Sequence, residues 1–237
     1  MLPSINIVKA QEEDIWTTLA PMQEPREGLG VAVVNGKIYA LGGNQGGGQG
    51  AVNEEYDPVT NTWTYKTPIP TPMAYFATAV YQDKIYCIGQ NGAVEVYDPT
   101  TDTWQSKTPL PNPRQAIIGV VIDDKIYVVG GVVSTLNVYD IQTDTWSTKT
   151  NMLVAPSMTY TWTCTAVTFN GNLHVIGADP YANSHQIYDP LTDEWSIGEP
   201  LINGYYFAIA GVTTGVHTPS QISVSYTHLT LPTILLV

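Results

Sequence analysis

The chain has 237 residues, of which 43% are apolar and 13% charged, and its net charge is −12. That composition supports a folded core and excludes a disordered chain. It offers no basic stripe to neutralise phosphates, which argues against a nucleic-acid partner, and no apolar run of about 18 residues that would span a membrane.

Residues 1–15 fit none of the patterns that follow. Val8-Lys9-Ala10, before the acidic Gln11-Glu12-Glu13-Asp14, resembles the end of a signal peptide and its small-residue cleavage site, without the charged start and apolar core. Together with Thr-rich strands and acidity, this predicts an extracytoplasmic or cell-surface protein. A cytoplasmic chain with a flexible N-terminus is the alternative.

From Trp16 onward the chain repeats. NGKIYALGG at 35–43 returns as QDKIYCIGQ at 82–90, DDKIYVVGG at 123–131 and NGNLHVIGA at 170–178. After each comes a second block: YDPVTNTW at 56–63, YDPTTDTW at 97–104, YDIQTDTW at 139–146 and YDPLTDEW at 188–195. Trp16 closes a further, partial copy. The tryptophans at 16, 63, 104, 146 and 195 are 47, 41, 42 and 49 residues apart.

Each unit reads as four short strands, A to D. Strand A is the apolar run before a two-residue turn such as Asn35-Gly36, which suits a hairpin with positive φ at both positions. Strand B is the Lys-Ile-Tyr run, strand C ends in Tyr-Asp, and strand D begins near the Trp. No segment carries an apolar 3.6-residue period long enough for a helix. Asp57, Asp98, Asp140 and Asp189 are placed to accept backbone N–H bonds in the turns they open. The Trp is wide enough to fill the wedge between two units. Cys87 and Cys164, 77 positions apart, read as two small buried hydrophobes and not as a disulfide or a metal site.

Strand B ending in Gly-Gly, then Tyr, then Trp, four times in the same order, resembles the kelch repeat. The departures are Gln90 and Ala178 for the second Gly, His174 for the Tyr and Ile141 for the Pro. The resemblance covers about residues 16–222 and implies an all-β fold, an incomplete kelch-type β-propeller. Four full four-stranded blades, with partial blades at both ends, would form an open arc of a parent with at least five blades, six being the favoured count.

In an antiparallel blade, the A–B and C–D turns leave from one face and the B–C and D–A connections from the other. The A–B turns are all two residues. The B–C segments run 12, 6, 7 and 9 residues between the second Gly position and the Tyr, and the path from Trp to the strand-B Lys position lengthens from 21 to 26 residues in blade 4. Length variation therefore gathers on the B–C/D–A face, and loops on a rigid scaffold are where binding resides.

Candidate ligand-binding residues follow from that face. Arg26 and Arg114 are the only two arginines, each 11 residues before its strand-B Lys, with Met73 at that position in blade 2. The resemblance implies that arginines here contact acidic peptides; internal ion pairs with Glu24, Glu27 or a neighbouring loop are the structural alternative. Tyr75, Tyr160, Trp162, Tyr181, His185 and Tyr205 add aromatic and imidazole groups suited to stacking on sugars or gripping peptide side chains. For Tyr75 and Trp162, packing between blades is the alternative. NQGGGQG at 44–50 reads as a mobile loop, since no helix or Lys follows it.

The expected function is a binding module for a protein or glycan, with no cofactor and no metal. A carbohydrate-active enzyme of the sialate mutarotase or galactose oxidase type, which the family also contains, is the second reading. His174 occupies a framework Tyr slot, so packing is the expectation there over copper ligation. The repeat pattern stops near Ser223, and VSYTHLTLPT at 224–233 resembles a translated sequencing adapter. Residues 223–237 are therefore expected to be a non-native or disordered tail, with no weight in the functional reading.

Overall fold

In a computed structural model the described residues are 17–131, 133–155, 164–177, 183–201, 208–213, 221–226 and 235–236. All their regular structure is β. Blade 1 is β1 (Gly30–Val34), β2 (Lys37–Leu41), β3 (Asn53–Asp57) and β4 (Thr62–Tyr65). Blade 2 is β5 (Ala77–Tyr81), β6 (Lys84–Ile88), β7 (Val94–Asp98) and β8 (Thr103–Lys107). Blade 3 is β9 (Ile117–Ile122), β10 (Lys125–Gly130), β11 (Leu136–Asp140) and β12 (Thr145–Lys149). Blade 4 is β13 (Thr165–Phe169), β14 (Asn172–Ile176), β15 (His185–Asp189) and β16 (Glu194–Ile197).

Each blade is a separate antiparallel sheet with its strands in chain order. A further sheet contains β17 (Ala208–Thr213), β18 (Gln221–Tyr226) and β19 (Leu235–Leu236). There β18 pairs with β17 through Tyr226, three residues past the point where the repeat pattern breaks.

The turns follow from the residues that fill them. Asn35-Gly36, Gln82-Asp83 and Asn170-Gly171 have positive φ at both central positions, whereas in Asp123-Asp124 it falls on Asp123. The first Asp of each C–D turn accepts a backbone N–H two residues on, at 2.8 Å from Val59, 3.0 Å from Thr100, 3.1 Å from Gln142 and 2.8 Å from Leu191. Lys37, Lys84 and Lys125 pair with Asp57, Asp98 and Asp140 across strands B and C. These three repeat lysines are therefore scaffold, at partly exposed sites worth little each.

The core lies between blades, not within them. Ala32, Val34, Tyr39 and Leu41 of blade 1 pack on Ile85, Cys87 and Tyr97 of blade 2. The seams between blades 2 and 3, and between 3 and 4, repeat this. Both cysteines are free thiols. Every blade pairs its strand-C Tyr with its strand-D Trp, ring centroids 4.8–5.1 Å apart.

A clasp joins successive blades. The Tyr97 hydroxyl donates to Asp102 Oδ1 (2.6 Å), and the same oxygen accepts the N–H of Thr67, where blade 1 leaves its last strand (2.9 Å). Trp104 Nε1 donates to the carbonyl of that same Thr67 at 2.8 Å. Tyr139, Asp144 and Trp146 hold Thr108 in the same way, and Tyr188, Asp193 and Trp195 hold Thr150. In blade 1, Tyr56, Asn61 and Trp63 hold Ala20 by its N–H (2.8 Å) and carbonyl (2.9 Å). Ala20 stands four residues after Trp16, as Thr67 does after Trp63.

Candidate functional site: the loop face

The B–C and D–A connections are anchored by a residue type that the repeat blocks do not advertise. Two positions before each strand-C Tyr stands a buried polar side chain: Glu54, Glu95, Asn137 and Gln186. Each ties down the connection entering its own blade. Glu54 accepts from Arg26 Nη1 and from the N–H of Gln23 (2.9 Å). Glu95 accepts from Thr71 Oγ1 (2.7 Å) and Ser106 Oγ (2.8 Å). Asn137 Oδ1 accepts from Arg114 Nη1 at 2.7 Å. Gln186 makes a two-way bond to the backbone of Val154, at 2.9 and 3.0 Å.

The two arginines therefore point into the scaffold. Neither Arg26 nor Glu54 exposes any of its side chain, so this is a fully buried ion pair. Arg26 also donates to the carbonyls of Glu24 (2.9 Å) and Ala40 (2.8 Å). Arg114 makes its remaining bonds to the carbonyls of Gly130, Asn112, Val128 and Thr135, at 3.0–3.2 Å. Among the described residues no carboxylate answers it, and burial pushes its pKa down to about 10. Any ligand carboxylate would have to compete with these internal acceptors. The internal-pair alternative holds for Arg26, but with Glu54 as partner, a residue not singled out for it.

The second glycine of the strand-B pair makes room for this arrangement. A Cβ on Gly43 would lie 3.2 Å from Arg26 Cγ and Cδ, and one on Gly131 would lie 2.9 Å from Arg114 Cδ. Blade 2, with Met73 in the Arg slot, carries Gln90 in place of that glycine.

Tyr75 sits at the seam of blades 1 and 2 with φ +55°, two positions after Met73. Gly28 and Ala116, two positions after Arg26 and Arg114, share that left-handed backbone at +62° and +54°. The Tyr75 ring lies against Gly28, where a Cβ would come within 2.5 Å of it. Its hydroxyl donates to Glu27 Oε1 at 2.8 Å, and this bond raises the phenol pKa. Tyr75 is half-buried and Glu27 exposed. Nearby, Glu24 accepts from Tyr65 (3.0 Å) and from Gln45. The 44–50 segment is a closed loop: Asn44 bridges to Gln49, and its Oδ1 accepts from the N–H of Gly46 at 2.9 Å.

His185 is not on an exposed loop. It opens strand β15 and is 6% exposed, because its position is the one filled by Val94 and Leu136 in blades 2 and 3. Its Nε2 lies 2.9 Å from Nδ1 of His174, itself 7% exposed in the framework Tyr slot. Tyr160, Trp162, Tyr181 and Tyr205 lie outside the described residues. Among the described residues no group of three or more His, Cys, Asp or Glu side chains is placed to hold a metal ion.

Four-stranded antiparallel blades, packed face to face and clasped through a repeated Tyr–Asp–Trp set, define a β-propeller of the kelch type. Kelch-motif models match residues 25–70 and 113–153, and the chain belongs to the kelch-repeat family. It is 37% identical over 86 residues to the influenza virus NS1A-binding protein of Homo sapiens, covering 36% of this chain and 13% of that protein. It is 32% identical over 85 residues to Kelch-like ECH-associated protein 1A of Danio rerio, covering 34% of this chain and 14% of that one. The aligned stretches thus span a small part of these relatives' lengths. The solved structure of YjhT superposes with a TM-score of 0.73 over 95% of this chain and 89% of that one, at 15% identity, a likeness of fold. Among the described residues no helix is long and apolar enough to cross a membrane.

Proposed function

We propose that the chain is a protein-binding module that uses the B–C/D–A face, and that the sector between blades 1 and 2 receives a cationic segment of its partner. The observation that carries this is the buried neutralisation of Arg26 by Glu54. The connections in this sector, 21–29, 42–52 and 68–76, contain Glu24, Arg26 and Glu27 as their only charged residues. With Arg26 matched internally, two carboxylates remain, and Glu27 is exposed beside the Tyr75 ring. A carboxylate next to an aromatic suits a Lys or Arg side chain by charge and by cation–π contact. This reverses the ligand charge that solvent-facing arginines would select. Support also comes from the relatives, one of which is named for binding a viral protein.

The test is an array of basic, neutral and acidic peptides, with glycans alongside. Basic peptides should bind best, Glu27→Gln should weaken them, and affinity should fall with added salt. Preferential binding of acidic peptides, or of glycans without salt dependence, would overturn the reading.

A further inference from the structure

Three connections of the loop face meet at one hydroxyl. Glu27 comes from the connection into blade 1, Asn44 from the B–C connection of blade 1, and Tyr75 from the connection into blade 2. Glu27 and Asn44 exchange backbone bonds in both directions, at 3.1 and 2.7 Å, and Tyr75 N–H donates to the Gly28 carbonyl at 2.7 Å. The Tyr75 hydroxyl donates to Glu27 Oε1 at 2.8 Å, and the Asn44 side chain bonds to the same hydroxyl. The single hydroxyl hydrogen is engaged by the carboxylate, so Asn44 donates from Nδ2. Asn44 Oδ1 accepts from the N–H groups of Gly46 (2.9 Å) and Gly48 (3.3 Å), which orients the amide the same way.

The backbone does not call for a Tyr here. This register is left-handed, a conformation that strains any residue with a side chain and that glycine adopts freely. Blade 1 fills it with Gly28, and the Tyr75 ring lies so close over Gly28 that a Cβ there would come within 2.5 Å. The fold therefore tolerates glycine at this register. What Tyr adds at 75 is the contact with Gly28 and the bonds of its hydroxyl.

The two carboxylates of the sector differ in what they leave open. Glu24 has both oxygens engaged, Oε1 by Tyr65 and Oε2 by Gln45. Glu27 is engaged at Oε1; among the described residues no group donates to its Oε2, and the residue is exposed. An exposed Glu gives up rotamer freedom when it binds a partner. The bond from Tyr75, itself held by Asn44 and Gly28, removes part of that loss in advance. A guanidinium fork engages both oxygens of a carboxylate and here has to share Oε1 with the phenol, whereas an ammonium needs Oε2 alone. We propose that Tyr75 is a positioning residue that presents Glu27 to a lysine side chain of the partner, and that its hydroxyl selects lysine over arginine. This rests on the loop-face reading above.

The probes are two capped peptides that differ at one residue, Ser-Gly-Lys-Gly-Ser and Ser-Gly-Arg-Gly-Ser, titrated into the 15N-labelled 237-residue chain. Amide shifts at 24–29, 42–50 and 73–76 should saturate, with the lysine peptide at least about threefold tighter. Tyr75→Phe keeps the ring on Gly28 and loses the hydroxyl. It should weaken the lysine peptide roughly fivefold and bring the two affinities level. Glu27→Gln should weaken it at least as much, and adding Tyr75→Phe to that variant should change nothing more. Tyr65→Phe, which loses only the bond to Glu24, should leave the ratio of affinities as it is. With no peptide present, the Tyr75 phenol should titrate at lower pH in Glu27→Gln, because the bond to Glu27 is the largest influence raising its pKa. Equal affinities in the unaltered chain, a ratio that survives Tyr75→Phe, additive effects of the two changes or an unmoved phenol titration would overturn the role of Tyr75 while the loop-face reading stands. Binding of neither peptide at this sector would overturn both.

Discussion

Arg26 and Glu54 form an ion pair that no solvent reaches, inside the connection that enters blade 1. Removing one partner leaves the other charged and buried. Arg26→Met should therefore cost about 3–5 kcal/mol in urea-unfolding measurements. Blade 2 shows how Met is accommodated: Glu95 is held by Thr71 and Ser106. The matching positions in blade 1 are Glu24 and Tyr65. The triple variant Arg26→Met/Glu24→Thr/Tyr65→Ser should recover most of the loss. No recovery would show that the anchor is not transferable between blades.

Among the described residues Arg114 faces only neutral acceptors. Asn137 stands where blade 1 has Glu54, so Asn137→Glu would give the guanidinium a carboxylate partner in a geometry the fold already uses. Stability should rise by about 1–2 kcal/mol, given the strength of charge-assisted bonds. A lowered thermal midpoint would mean that the desolvation of the new carboxylate exceeds its pairing.

The blade clasp gives a graded series. Asn61 does in blade 1 what Asp102 does in blade 2, so Asp102→Asn should cost less than about 1 kcal/mol. Asp102→Ala orphans both the Thr67 N–H and the Tyr97 hydroxyl, and about 2–3 kcal/mol should go. Trp104→Phe keeps the ring contact with Tyr97 but loses the indole bond to Thr67, at about 1–2 kcal/mol. Equal effects for Asn and Ala at 102 would exclude the clasp as the cause.

Acid should act on the same set. Burial opposes charge on Asp102 and Asp144, but the hydroxyls of Tyr97 and Tyr139 and the N–H groups of Thr67 and Thr108 outweigh it and lower both pKa values. Asp193 is lowered chiefly by Tyr188. A carboxylate depressed in the folded state stabilises above its unfolded pKa and loses that contribution as pH falls through the folded value. Stability measured from pH 5 to pH 2 should fall from about pH 4 downward. The triple variant Asp102→Asn/Asp144→Asn/Asp193→Asn should flatten that limb in part, since Asp57, Asp98 and Asp140 still titrate. An unchanged limb would place the acid sensitivity elsewhere.

Much of this could be read along the chain. Repeated blocks gave the strands, their order, the two-residue turns and the wedge-filling Trp, because each depends on neighbours within a few residues. The buried polar row was legible too. Glu54, Glu95, Asn137 and Gln186 put a polar residue at one register of strand C in all four blades, and an alignment of the four copies against each other exposes them. The pairing of Arg26 and Arg114 with Gly43 and Gly131 was likewise visible as a covariation between blades.

What the sequence by itself determined is the blade: its four strands, its turns and the register that puts Tyr beside Trp, all local consequences of period and turn chemistry. Only the tertiary structure decided which way the long side chains reach. Arg26 and Arg114 could face a ligand or the carbonyls of strand B, and the buried Glu54 and Asn137 draw them inward. His185 follows a polar loop, yet strand pairing with β14 carries it into the seam against His174. Both outcomes depend on contacts between residues far apart in sequence, where desolvation and hydrogen-bond partners, not pattern, set the direction.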